Sequence, residues 1–328
     1  MPTRHPPPAP PHATPVGPGL RLGLCCKFAA EPIRFRTVTA TALLRLPPAA
    51  RARRLSDLCL ANAGSLRSAL AYCAAHGIGA FRVGSDILPV RTHPRTRYRV
   101  GSLPGGRAIV SAFRQCGRYA TRHGIRLLLH PDPFVLLSSP NPEVTRRSVD
   151  DLRCQAELAG WIGADVIILH AGGAYRDKPA ALQRVERAIR RLPASVRTRL
   201  ALENDERCYP PADLLPFCER LGIPMVYDVH HHRCLPDGLS VREVTRRAAA
   251  TWDREPVFHL SSPRGGWDGP FPSRHHDYID PADIPACWRR LTATVEIEAK
   301  GKEVAVARLA LKTTRMLSLR RLYRTSQE

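Results

Sequence analysis

Met225-Val226-Tyr227-Asp228-Val229-His230-His231-His232 is a short apolar run that ends in one carboxylate and three imidazoles. Polar groups at the end of a hydrophobic strand cost stability, so the arrangement points to a site rather than to packing. The pattern recurs in Leu127-Leu128-Leu129-His130, Val166-Ile167-Ile168-Leu169-His170, Leu200-Ala201-Leu202-Glu203, Val257-Phe258-His259 and Val295-Glu296-Ile297-Glu298. One such ending is an accident; a repeated ending implies that all these strands deliver their last residue to a common place.

Working outward from these runs, strands are predicted near 21–26, 80–84, 126–130, 166–170, 199–204, 224–230, 257–261 and 294–298. Amphipathic Ala/Leu/Arg segments near 51–76, 106–123, 142–162, 178–192, 211–221, 240–251, 281–290 and 302–315 read as helices between them. Asn141-Pro142-Glu143 and Pro211-Ala212-Asp213 are helix starts with Pro or an acid in the first turn. Strict strand–helix alternation of this length predicts an α/β fold, a single (β/α)8 TIM barrel. A doubly wound open sheet is the alternative, but no Gly-rich phosphate fingerprint follows Leu22-Gly23-Leu24-Cys25. In a barrel, sites gather at the C-terminal ends of the strands, where the His, Asp and Glu residues fall.

The Pro-rich residues 1–19 read as a disordered leader, residues 20–315 as the barrel and 316–328 as a basic tail. No stretch reaches the roughly 18 apolar residues of a membrane helix and no signal-type apolar segment opens the chain, so a cytoplasmic monomer without membrane contact is expected. The 10 cysteines form no C-x-x-C pair and read as reduced thiols. The formal charge of +21 suggests a polyanionic partner, nucleic acid first, although only five of the 50 basic residues are Lys and GC-rich coding alone produces an Arg bias.

Imidazoles and carboxylates without thiolates suit a catalytic divalent ion. So many donors around one mouth would over-coordinate a single ion, so two or three are expected; a metal pair roughly 3.5–4 Å apart clamps the attacking and leaving oxygens of phosphodiester hydrolysis. Glu203 or Asp228 is the natural bridge. His130, His170 and Glu203 read as ligands because they recur on successive strands. His230, His231 and His232 cannot all face inward: alternation from Asp228 selects His230, whereas a turn at Val229 frees His231. Arg91, Arg95, Arg97 and Arg99 form a basic patch around His93 suited to phosphates, and Trp267 lies in a Gly-rich loop suited to DNA backbone and exposed bases, or to a plain braced surface loop.

From Arg21 to Lys312 the sequence resembles the ultraviolet-damage endonucleases of the UvdE/UvsE type, relatives of the endonuclease IV and xylose-isomerase-like barrels. The resemblance is carried by Arg21-Leu22-Gly23, Phe81-Arg82-Val83, Thr92-His93-Pro94, His130-Pro131-Asp132, His170-Ala171-Gly172-Gly173, Leu202-Glu203-Asn204-Asp205, Tyr227-Asp228-Val229-His230-His231, His259-Leu260-Ser261, His275-His276-Asp277-Tyr278 and Glu298-Ala299-Lys300. It implies metal ligation by His130, His170, Glu203, Asp228, His231, His259, His275 and Glu298, with His93 a further histidine near the cluster. Glu203, Asp228 and Glu298 are the implied catalytic carboxylates. Asn204 and Asp205 would orient Glu203, and Asp277 would orient His275.

Four positions depart from the family. Pro133 and Phe134 stand where it places a Gln and an aromatic wedge that enter the duplex at the lesion; Phe134 still fills the space of unstacked bases. Val257 replaces a lysine modified beside the metals, and Leu24 replaces a Tyr. The implied function is a divalent-metal-dependent DNA repair endonuclease that nicks ultraviolet-damaged double-stranded DNA immediately 5′ to the lesion. Manganese is the first choice of ion, with zinc, magnesium or cobalt as alternatives. A sugar or sugar-phosphate isomerase using Glu203, Asp228 and Glu298, and a DNA-damage binding protein with a decayed site, are the competing readings.

Overall fold

The computed structural model describes residues 19–311. The expected leader, apart from residue 19, and the expected tail lie outside the described residues, as does the end of the last expected helix. Eight parallel strands close into a barrel in sequence order: β1 (Leu20–Cys25), β2 (Ala80–Gly84), β3 (Arg126–His130), β4 (Val166–His170), β5 (Leu200–Glu203), β6 (Met225–Asp228), β7 (Val257–Leu260) and β8 (Ala293–Ile297). The TIM-barrel expectation holds.

Side-chain alternation along each strand does two jobs. Leu127, Leu129, Ile167, Leu169, Leu202, Tyr227, Phe258 and Val295 join the large apolar layer shared with the surrounding helices. Their neighbours Ala80, Leu128, Ile168, Ala201, Val226 and Val257 form a separate buried cluster with Val166 and Trp252. Two residues further along the same strands come Arg82, His130, His170, Glu203, Asp228 and His259. Period two therefore stacks a polar layer on an apolar one, and the apolar layer closes the barrel beneath the mouth. Beneath that lies an ionic base: Arg126 lies 2.8 Å from Asp165 and donates to Thr294 Oγ1, while Arg21 pairs with Glu255 at 2.9 Å.

Local signals explain the helix boundaries. Asn141 Oδ1 accepts the Glu143 N–H at the start of the helix Pro142–Ile162, which ends at Gly163 with φ 74°. Two expectations are corrected. The segment 281–290 forms two short 3-10 turns, Pro281–Asp283 and Ala286–Arg290, because Pro285 between them supplies no amide N–H to continue the ladder. The β6 strand stops at Asp228 rather than near residue 230, and Val229–Cys234 is a short helix capped by the Asp228 side chain.

All 10 cysteines are unpaired. Among the described residues no helix is long and apolar enough to cross a membrane.

Candidate metal centre

The end of β5 places Glu203 at the middle of the mouth, 1% exposed. Its Oε2 lies 2.8 Å from His130 Nε2 on β3 and its Oε1 lies 2.8 Å from His259 Nδ1 on β7. One carboxylate thus spans the barrel. His170 Nε2 stands 3.6 Å from the same Oε2, and His231 Nδ1 stands 3.7 Å from Oε1. Among the described residues, donor atoms converge in three groups, His130 with His170 and Glu203, Glu203 with Asp228 and His231, and Asp228 with His259 and Glu298.

The Asp228 cap explains why His231, not His230, reaches this cluster. Asp228 Oδ1 accepts the His231 N–H at 2.8 Å, so the chain turns into a helix and the imidazole comes back over the carboxylate. Asp228 Oδ2 is left buried without a hydrogen-bond partner, 3.6 Å from His231 Nδ1 and 3.9 Å from His259 Nδ1. A buried carboxylate oxygen with no donor is costly unless something positive meets it. That orphan atom, ringed by imidazoles and carboxylates with no thiolate in any of the three groups, fits divalent cations.

His230 instead packs with its ring 5.0 Å from His275 and 5.2 Å from Trp267. His232 bridges the Tyr227 hydroxyl at 2.8 Å and Asp237 at 2.9 Å. His275 Nδ1 is 3.8 Å from Glu298 and 3.3 Å from Ser261 Oγ.

Several expected roles fall elsewhere. Asn204 brackets the Asp228 backbone, accepting its N–H and donating to its carbonyl, each at 2.9 Å, and so braces β6 against β5 rather than orienting Glu203. Asp205 accepts the backbone N–H groups of Arg207, Cys208 and Tyr209. Asp277 is exposed. Val257 lies in the apolar layer, two residues below His259, and Leu24 is likewise fully buried. His93 accepts the Arg95 N–H and lines a cavity of about 600 Å³ together with Asp132 and Phe134. Arg91 is buried against Glu157 and the Cys154 carbonyl, so it is not the phosphate contact expected of it. Arg95, Pro133 and Phe134 are exposed, Phe134 by 67%. Trp267 donates its indole N–H to Asp283 at 2.8 Å and anchors its own loop instead of facing outward.

Two residues that carried no individual assignment complete the centre. Glu296, fully buried on β8, accepts from Arg82 at 2.7 Å and lies 2.8 Å from His259 Nε2. This directs the other ring nitrogen of His259 toward Glu203, as a carboxylate behind a ligating histidine does. Arg82 also lies 2.6 Å from Glu298. Both were readable from parity, since Arg82 follows Ala80 by two and Glu296 precedes Glu298 by two. Glu206, 3.6 Å from His231 Nε2, lies in a loop that carried no signal.

A match to the family model described as UV-endonuclease UvdE extends over residues 20–326. The chain belongs to the UvdE family. The UV DNA damage endonuclease of Deinococcus radiodurans is 39% identical over 306 residues, covering 89% of this chain and 95% of that protein. The crystal structure of SacUVDE superposes with a TM-score of 0.80 at 24% identity over 91% of this chain and 99% of that one. Endonuclease IV from Thermus thermophilus shares the fold with a TM-score of 0.58 at 18% identity, again covering 91% and 99%.

The electrostatics of this UvdE-family centre give a pH prediction. Burial opposes a charge on His231, yet Asp228, Glu203, Glu298 and Glu206 outweigh it and raise its pKa from 6.5 to about 9. Burial likewise opposes charge on His259, and Glu203 chiefly overcomes it, holding that imidazole well above its ordinary value. A raised folded value gives stability that is complete below pH 6.5 and lost as pH rises through about 9. With ions chelated, the protein should therefore lose about 3 kcal/mol between pH 6 and pH 9 from His231 alone. Added divalent ion should stabilise more at pH 9 than at pH 6, because ligation needs the neutral imidazole. Thermal melts with and without chelator check both signs; equal chelated stability at the two pH values would contradict the assignment.

Proposed function

We propose that this UvdE-family chain is a repair endonuclease that cuts ultraviolet-damaged duplex DNA at the phosphodiester immediately 5′ to the lesion, using two or three divalent ions, manganese first. The observation that carries the reading is the Glu203 carboxylate, whose two oxygens face imidazoles from opposite sides of the mouth beside the unpartnered Asp228 Oδ2. His130, His170, Glu203, Asp228, His231, His259, His275 and Glu298 would hold the ions. Bound there, divalent ions would supply Lewis-acid polarisation of the phosphodiester and a water of lowered pKa.

The protein's own part is positioning. Glu296 and Arg82 fix the His259 ring and restrain Glu298 from behind. His130 Nδ1 lies 3.0 Å from the Pro131 carbonyl, which accepts its N–H and leaves Nε2 facing Glu203. Phe134 and Pro133 stand free at the β3 end of the mouth, where a ring can occupy the gap left by poorly stacked bases. Arg95 is an exposed cation beside that edge. The +21 charge supports a polyanionic substrate. A sugar isomerase gains nothing from such a charge, and a binding-only protein would not need the converged donor set, so neither competing reading is proposed.

The test is an end-labelled duplex with one defined photoproduct, incubated with chelator-stripped protein to which manganese, zinc, magnesium or cobalt is returned. Incision 5′ to the lesion, fastest with manganese and absent with chelator, is expected. Tight binding without incision under every ion would overturn the endonuclease reading, and faster cutting with another ion would overturn the choice of manganese.

A further inference from the structure

In a closed eight-stranded barrel β3 and β7 stand four strands apart, so the loops that leave them rise from opposite sides of the mouth. His130 and His259, at the ends of those strands, each lie 2.8 Å from one oxygen of Glu203, which puts the centre between the two loops. Each loop displays one large exposed aromatic side chain, Phe134 at 67% exposure and Phe271 at 56%.

The Phe271 loop is built, not merely exposed. Pro263 and His275 form an antiparallel bridge at its root. Arg264 donates its N–H to the Arg274 carbonyl at 2.7 Å, Arg274 donates to the Phe271 carbonyl at 3.1 Å, and His276 donates to Ser262 at 2.8 Å. Trp267 is tied below by Asp283. The Arg274 guanidinium sits 4.3 Å from the Phe271 ring centroid, and both Arg274 and Arg264 are exposed. A ring already ordered and backed by a cation presents a flat face next to positive charge at little further entropic cost on binding.

Among general ligands, that combination suits a base out of its stack together with the phosphate beside it. It does not suit a protein partner, because the loop around the ring is Gly269, Pro270, Pro272 and Ser273 and offers little apolar area.

We propose that Phe271 and Arg274 form a second base-stacking platform that faces Phe134 across the metal centre and receives a base unstacked at the damaged step. The proposal rests on the DNA-endonuclease reading and adds the surface that selects lesions from the far side of the mouth. It also links recognition to the centre, since the platform's own hairpin ends in His275, 3.8 Å from Glu298.

Full-length protein with metal chelated is titrated by fluorescence anisotropy against duplexes with and without one pyrimidine dimer. 2-Aminopurine is placed either opposite the lesion or next to it on the lesion strand. Phe271→Ala should weaken damaged-duplex binding about tenfold and undamaged binding less than about twofold. Phe271→Trp should restore the preference and change the 2-aminopurine signal at one of the two positions, which identifies the strand that supplies the base. Arg274→Ala should flatten the salt slope by about one. Phe134→Ala, measured alongside, sets the scale for a wedge on the other side.

An unchanged lesion preference in Phe271→Ala, an equal loss on both duplexes, no rescue by Trp, or no 2-aminopurine change at either position would overturn the platform while leaving the endonuclease reading intact. If the wild type neither prefers nor cuts damaged DNA, that reading falls first and the platform with it. Unchanged melting temperatures separate lost recognition from lost folding.

Discussion

Glu203→Gln should reduce incision of damaged duplex by about a thousandfold, roughly 4 kcal/mol of transition-state stabilisation. The amide keeps the shape of the side chain, so the loss reports charge and donor chemistry. In the native centre both carboxylate oxygens accept, one facing His130 and the other His259, with His170 and His231 next in reach. Burial pushes the Glu203 pKa up, but His259, His170 and His130 outweigh it and hold the group well below the usual range, so it is anionic at neutral pH. An amide turns one acceptor into a donor aimed at an imidazole and removes the charge that two of the three donor groups share. Calorimetric titration with manganese should show weaker binding or a lost site. Damaged-DNA affinity in chelator should be unchanged, because Glu203 is buried and the exposed contacts lie on the rim. A variant that binds manganese normally and cuts at the wild-type rate would remove Glu203 from the centre.

The parts of this molecule that follow local rules were legible, and those set by distant partners were not. Strand ends could be read because period two puts His130 over Leu128 and His259 over Val257, and the same rule contains Arg82 and Glu296. Those two were passed over because a charged residue inside a strand reads as exposed until its counter-ion is known, and Arg82 meets Glu296 only 214 residues later. Arg91 looked like one of four phosphate-facing arginines. It is instead buried against Glu157, a partner from the helix Pro142–Ile162 that nothing in its own neighbourhood announces. Trp267 leaves two readings open for the same reason, and its distant acceptor Asp283 favours the braced loop over the outward-facing ring. The triple histidine was ambiguous because strand alternation and an Asp cap predict different parity at Asp228; the cap prevails, and His231 turns inward.

Arg82→Met should destabilise the protein by about 3–5 kcal/mol, the cost of leaving a buried charge without its partner. Met matches the length of the stem and keeps the packing, so the cavity contribution stays small. What remains is Glu296, fully buried beside Glu298 with only histidines to offset the two carboxylates. Burial raises the Glu296 pKa, and Arg82 first, then His259, bring it down to about 2. A depressed carboxylate gives stability that is present above its unfolded value near 4.5 and lost as pH falls toward 2. In the variant that contribution disappears, so the gap between wild type and Arg82→Met in urea melts should be wide at pH 7 and close progressively as pH falls from about 4.5 toward 2. Adding Glu296→Gln to Arg82→Met should recover part of the loss, because the uncompensated charge goes with it. A gap under about 1 kcal/mol at pH 7, or one that widens in acid, would mean that solvent rather than Arg82 neutralises the pair. The guanidinium would then serve only to aim His259, and the defect would appear in metal affinity with the melting curve unmoved.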